Sequence, residues 1–176
     1  MTWDTDDDLK RLTAAMEARD KPTIYAFCDE LIARIFKTSE PYPSNPAKRV
    51  LSILRRGRFF DQMEHLADAF IQTGAGSNTV RRLYVQALLD QGHFTAALLV
   101  LDGLIAATEG VDPTENAEAK GLKGRAYKQL YVNAVAPTVE RNQKWLDEAA
   151  KAYYGPYRAD PKSFAWHDQC CGGCSS

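Results

Sequence analysis

The sequence predicts an all-α protein of about eight helices, arranged as antiparallel pairs stacked into a right-handed solenoid. Three observations carry this. Apolar residues recur at i, i+3 and i+4 along most of the chain, the period of an amphipathic helix. Two corners of the form Gly-x-Phe, Arg56-Gly57-Arg58-Phe59 and Gln91-Gly92-His93-Phe94, lie 35 residues apart (92 − 57). Clusters of proline and glycine separate the periodic stretches.

The chain has 176 residues and a formal net charge of −1. That length suits one domain or one block of a repeat array. A near-zero charge argues against a general nucleic-acid or membrane-surface role, which favours a basic excess. No apolar run approaches the ~20 residues that span a bilayer. Met1-Thr2-Trp3-Asp4 does not open a secretory signal. Cys28 stands alone, and Cys170, Cys171 and Cys174 crowd the last seven residues, which is no disulfide framework. A reducing, cytoplasmic setting is expected.

Residues 1–37 read as a leading helical pair. The acidic run Asp4 to Asp8 precedes Leu9, Leu12, Ala15 and Met16. Carboxylates suit the positive end of a helix, so the run predicts a solvated first turn, with the helix ending near Asp20. Lys21-Pro22 opens the second helix, because proline is tolerated in a first turn. Its stripe is Ile24, Phe27, Cys28, Leu31, Ile32 and Ile35. Cys28 lies inside that stripe and is expected to be a small core residue rather than a nucleophile. Thr38 to Pro46 holds Pro41, Pro43 and Pro46 and is expected to be a loop.

From there the chain divides into three units, 44–76, 77–113 and 114–161. The corner spacing is close to the tetratricopeptide period of about 34 residues. In such a repeat a glycine turns between two antiparallel helices in a left-handed conformation, an aromatic enters the second helix, and a small residue sits where the helices cross. Gly92, Phe94 and Ala97 fit. Gly57 and Phe59 fit, but Gln62 takes the place of the small residue. In the third unit Gly124 occupies the small position of the first helix. Tyr127 and Leu146 are 19 residues apart (146 − 127), where the ordinary pattern allows about six. Both helices of that unit must therefore be longer than usual, with the bend near Ala136-Pro137. Gly155-Pro156 inside the last helix predicts a kink.

Gly124-Arg125-Ala126-Tyr127-Lys128-Gln129-Leu130-Tyr131, the elongated bend, and Tyr157-Arg158-Ala159-Asp160-Pro161 with Trp166-His167 resemble a known domain. It is the TRAF-binding, tetratricopeptide-type domain in the central regulatory region of the apoptosis signal-regulating mitogen-activated protein kinase kinase kinases, which also occurs in bacterial proteins. The resemblance covers about residues 78–167, with 44–77 matching only as generic repeats. The kinase itself is absent. The resemblance implies a protein-binding or regulatory module.

The tail after His167 supports three readings. His167, Cys170 or Cys171, and Cys174 have donors and a Cys-x-x-Cys spacing that suit zinc, but all lie at one chain end without a second ligand pair. The tail can instead be irregular. Or it is a frame-shifted end: one allowed coding of His167 to Ser176, with two extra G, reads His-Gly-Ile-Asn-Ala-Val-Ala-Ala-Ala-Leu. That is the helix opening which follows Asp-Pro in the family. The chain would then be the front part of a longer repeat protein. Its last helix would lack a neighbour, leaving Tyr153, Tyr157, Phe164 and Trp166 to solvent or to a second copy.

Stacked helix pairs curve, and their first helices line a concave binding surface. Repeat register assigns Leu51, Leu54 and Arg55 to it, then Arg82, Gln86 and Leu89, then Arg125, Lys128 and Gln129. Arg55, Arg82, Arg125 and Lys128 would make the groove basic. Guanidinium groups take carboxylates bidentately, so the expected partner is an acidic peptide or an acidic protein tail. A homodimer through the C-terminal helix is the alternative. No enzyme and no cofactor are expected. His65, His93 and His167 lack neighbours that make a base pair or metal motif, and the chain has no phosphate loop, HExxH or GxSxG.

Overall fold

The computed structural model describes residues 3–136 and 138–159. Eight helices form among them: α1 (Thr5–Glu17), α2 (Lys21–Lys37), α3 (Ser44–Arg56), α4 (Phe60–Gln72), α5 (Asn78–Asp90), α6 (Phe94–Thr108), α7 (Pro113–Val132) and α8 (Glu140–Ala159). No strand occurs among the described residues. Alternate helices pack on one another, α1 on α3, α3 on α5 and α5 on α7, and each hairpin closes on itself. This is the stacking of a helical repeat.

Capping residues set the helix starts. The carboxylates of Asp4, Asp20 and Asp112 accept from the backbone N–H of Asp7, Thr23 and Glu115 at 3.1, 3.2 and 3.0 Å. Each satisfies an N–H that the helix leaves unpaired. α1 ends at Glu17, earlier than the periodicity suggested, because Arg19 turns left-handed (φ 53°) and Asp20 already belongs to the next helix. The proline-rich loop is also shorter than expected. α3 begins at Ser44, so Pro46 falls in its first turn, where a missing N–H is not needed.

The acidic run is not wholly solvated. Asp6 and Asp7 are exposed, but Asp8 is only 1% exposed. Its carboxylate accepts from both guanidinium nitrogens of Arg34, at 2.7 and 3.1 Å, and from the Tyr42 hydroxyl at 3.1 Å. Tyr42 comes from the proline-rich loop and stacks on Phe70 at 5.1 Å, while Trp3 meets its edge at 5.0 Å. A buried carboxylate needs such partners, since leaving water is costly. The network joins α1, α2 and the loop.

Three corners share one backbone. After α1, α3 and α5 the same hydrogen bonds recur: Asp20 N to Ala15 O, Phe59 N to Leu54 O and His93 N to Leu88 O. The residue just before each donor is left-handed: Arg19, Arg58 (φ 62°) and Gly92 (φ 84°). This is the Schellman closure. It corrects the sequence register by one. Arg58, not Gly57, is the partner of Gly92, and Phe60 matches Phe94, so the true offset is 34 (94 − 60). Gly57 has an ordinary φ of −76°. It is small for another reason: a Cβ there would lie 2.8 Å from Met16 Sδ. With the offset corrected, buried Met63 matches Ala97, and Gln62 does not hold the place of the small residue.

The core is two clusters that meet at α5. The first runs from Leu9 to Ala87 and the second from Val85 to Ala126. α5 packs on α3, α4, α6 and α7, and seven of its residues, from Val80 to Leu89, are buried. The last hairpin has the long helices that its spacing required, 20 residues each. Gly124 is buried, and a Cβ there would sit 2.5 Å from the Tyr153 ring. α8 stays helical through Gly155 and Pro156, so the proline does not end it. Among the described residues α8 packs on α7 alone.

Candidate surface for a protein partner

The residues expected in the groove fall into three groups. Leu51, Leu54 and Leu89 are core residues, at most 3% exposed. Gln86 is 5% exposed, and its Oε1 accepts no hydrogen bond among the described residues. These side chains are packed between helices and are not offered to a partner. The one-residue register shift explains Leu51 and Leu54. The positions that match Arg82, Gln86 and Leu89 at an offset of 34 are Lys48, Ser52 and Arg55. Lys48 and Ser52 are half-buried, and Arg55 is exposed.

Arg82 and Arg125 form the second group. Arg82 Nε lies 2.7 Å from Glu115 Oε2, with only 18% of its side chain exposed. Arg125 Nη2 lies 2.6 Å from Asp90 Oδ1. Both pairs cross from α5 to α7, so these guanidinium groups brace neighbouring units and their charge is already met. Lys123 does the same between α7 and α6, donating to Asp102 at 2.6 Å. That bond holds its ammonium pKa above the usual value.

The third group is free. Arg55, Lys128 and Gln129 make no ion pair or side-chain hydrogen bond among the described residues. Arg55 belongs to a larger feature. Between Ser44 and Arg58 the chain carries Lys48, Arg49, Arg55, Arg56 and Arg58 and no carboxylate. None of the five is in an ion pair among the described residues. At about 100° per residue, Lys48, Arg49, Ser52, Arg55 and Arg56 share one sector of α3 roughly 120° wide. Arg49 also edges an open hollow of about 500 Å³ whose other wall is α1, with Asp6, Lys10, Thr13 and Glu17. Sequence reading missed Lys48 and Arg49. The absence of any acid in the sequence between Ser44 and Arg58 was the available signal.

The other candidate chemistry is quiet. Cys28 is fully buried, and burial pushes its thiol up to about 12, so the thiolate that a nucleophile needs is scarce. His65 is exposed on α4, and His93 Nδ1 stands 3.5 Å from Glu64. No group of His, Cys, Asp and Glu able to hold a metal occurs among the described residues. His167, Cys170, Cys171 and Cys174 lie outside them, as do Phe164 and Trp166. No described helix is long and apolar enough to cross a membrane.

Comparison with known proteins agrees with the stacked hairpins. The family model described as Tetratricopeptide Repeats-Sensor matches residues 59–168. Neither the curated proteins nor the solved structures returned a match. The narrower resemblance to the regulatory domain of the kinases finds no support in these comparisons. Repeats of this type point to a protein-interaction module. The chain belongs to the Tetratricopeptide Repeats-Sensor family.

Proposed function

We propose that the chain is a regulatory or scaffolding module, at work in the cytoplasm, that captures an acidic segment of a partner protein. The observation that carries this is the basic sector of α3. Lys48, Arg49, Arg55 and Arg56 share a face with no carboxylate among them. Cations on one face that form no ion pair among the described residues attract an anionic segment and steer its approach. Ser52 lies within the same sector. Lys128, exposed on α7, is a further cation without an ion pair among the described residues. Arg82 and Arg125 act first as braces between α5 and α7, so they test the fold rather than the binding. The reading assigns binding and no reaction. The family's description as a sensor fits a module that reports what it holds.

The test uses fluorescence anisotropy with a labelled peptide of mixed Asp and Glu and a neutral peptide of equal length. The wild-type chain should bind only the acidic one, and more weakly as salt rises. Arg49→Glu with Arg55→Glu should weaken binding about tenfold or more. Both side chains are exposed, so the melting temperature should hold. Equal affinity of the double variant and the wild type would overturn the reading.

Self-association through α8 is a second reading. A different observation favours it: Leu146, Tyr154 and Tyr157 are 42, 60 and 49% exposed on a helix with one neighbour among the described residues.

A further inference from the structure

We infer that two copies of this chain pair α8 against α8, antiparallel across a two-fold axis near Ala152 and Tyr153, with Asp147 of each copy facing Arg158 of the other. This rests on the reading that α8 mediates self-association, and it specifies the geometry.

The apolar stripe comes first. Leu146, Ala150, Tyr154 and Tyr157 are exposed and follow one another at i, i+4, i+8 and i+11. That spacing places them on one side of the helix. The stripe adjoins the side that packs on α7, where Asn142 and Ala149 are buried and Tyr153 lies on Gly124, and turns away from it toward Tyr154. The other helices each pack on at least two neighbours, and α8 packs on one among the described residues. An exposed apolar stripe left without a partner among the described residues is where a further surface is expected.

The charges then choose the occupant. Asp147 and Arg158 flank the stripe on the same side, at about 100° and 120° from Leu146 on the helical wheel. Neither forms an ion pair among the described residues, whereas Lys151 is held by Glu148 at 2.8 Å. When two identical helices pack antiparallel, the flank of one meets the same flank of the other. Asp147 and Arg158 are equidistant from the midpoint between Ala152 and Tyr153, so the two-fold axis brings opposite charges together twice. A parallel pair would instead put this flank of each copy beside the opposite flank of the other, and neither Asp147 nor Arg158 would gain the other as a partner. The same axis puts the small Ala150 level with the partner's Tyr154, and Leu146 near the partner's Tyr157. Small then meets large at the centre of the seam, and two large side chains meet at each end. The stripe from Leu146 to Tyr157 is only about 16 Å long, so the contact is at the small end of specific interfaces. A weak dimer is expected, half-associated within about 1–100 µM.

Sedimentation velocity on the full chain, over a wide range of concentrations, tests this. The wild type should pass from monomer to dimer within that range. Asp147→Arg and Arg158→Asp should each weaken association about tenfold, by setting like charges opposite one another twice. The two changes combined should restore it to within about threefold. Tyr154→Glu should abolish association and leave the circular dichroism melt unchanged. A chain that stays monomeric throughout overturns both the pairing and self-association. That is also the result expected if residues 160–176 or another protein cover the stripe. A dimer that resists both charge reversals, or that the combined variant fails to restore, overturns this pairing and leaves self-association standing.

Discussion

Helices α1 to α6 and the α7–α8 hairpin fold by the same pairing rule and are held differently. In the first region each helix touches two or more others, and the contacts are made by Leu, Ile, Phe and Met side chains with no exposure. Its three hairpins end in one repeated backbone corner. In the second region α8 touches only α7 among the described residues, and a tyrosine ring lies over a glycine. The first region gains its stability from burial shared among neighbours. The second depends on close backbone approach within one pair. A helix with one neighbour is the part that a further partner can most readily stabilise.

Removing the buried charge tests the first region with the largest effect. Asp8→Ala leaves Arg34 without its partner and strips Tyr42 of its acceptor, and should cost about 3 kcal/mol. Arg34 is a third open to water, which keeps the loss at the low end of the range for a broken buried pair. Denaturant unfolding measures it. A loss under about 1 kcal/mol would mean that hydrophobic contacts alone hold α1, α2 and the loop together.

Gly124→Ala tests the second region. The new methyl would overlap the Tyr153 ring, a strain of about 1–3 kcal/mol that outweighs the gain of about 1 kcal/mol from replacing a helical glycine. Native-state hydrogen exchange should show α8 opening faster while α2 is unchanged. Adding Tyr153→Leu should restore much of the protection. If α2 and α8 respond together, the two regions unfold as one body.

The smallest effect compares two corners of the same shape. Gly92→Ala should destabilise by about 1 kcal/mol through backbone strain alone, because no atom lies within 4 Å of the added carbon. Arg58→Gly should stabilise by about 0.5 kcal/mol, the relief of left-handed strain being partly offset by a freer unfolded chain. Thermal melts of both variants, read side by side, give the answer. Changes of the same sign would show that the two corners are not equivalent.

Helix number and type were legible because apolar residues repeat at the helical period, and the long last hairpin followed from 19 residues of spacing. The register of the first repeat was not. A glycine at 57 looks like the corner glycine, yet it answers a steric demand from Met16, and an arginine takes the left-handed place. That one-residue error moved Leu51 and Leu54 onto the expected surface. Asp8 resembled its solvated neighbours because its partners stand 26 and 34 residues away. The burial of Gln86 follows from α3 and α7 closing on α5, a fact of packing that local periodicity does not encode.

The two ion pairs between α5 and α7 have a consequence for assembly. Arg82 meets Glu115 near the start of both helices, and Asp90 meets Arg125 further along. The order of signs on α5, plus then minus, is the reverse of that on α7. A slip of one helical turn, about 5.4 Å, would separate both pairs at once. Docking α7 upside down would press Arg82 on Arg125 and Asp90 on Glu115. The folding chain thus carries a two-character password between its units. A foreign hairpin spliced after α6 would be accepted when its first helix spells acid and then, ten residues later (125 − 115), base.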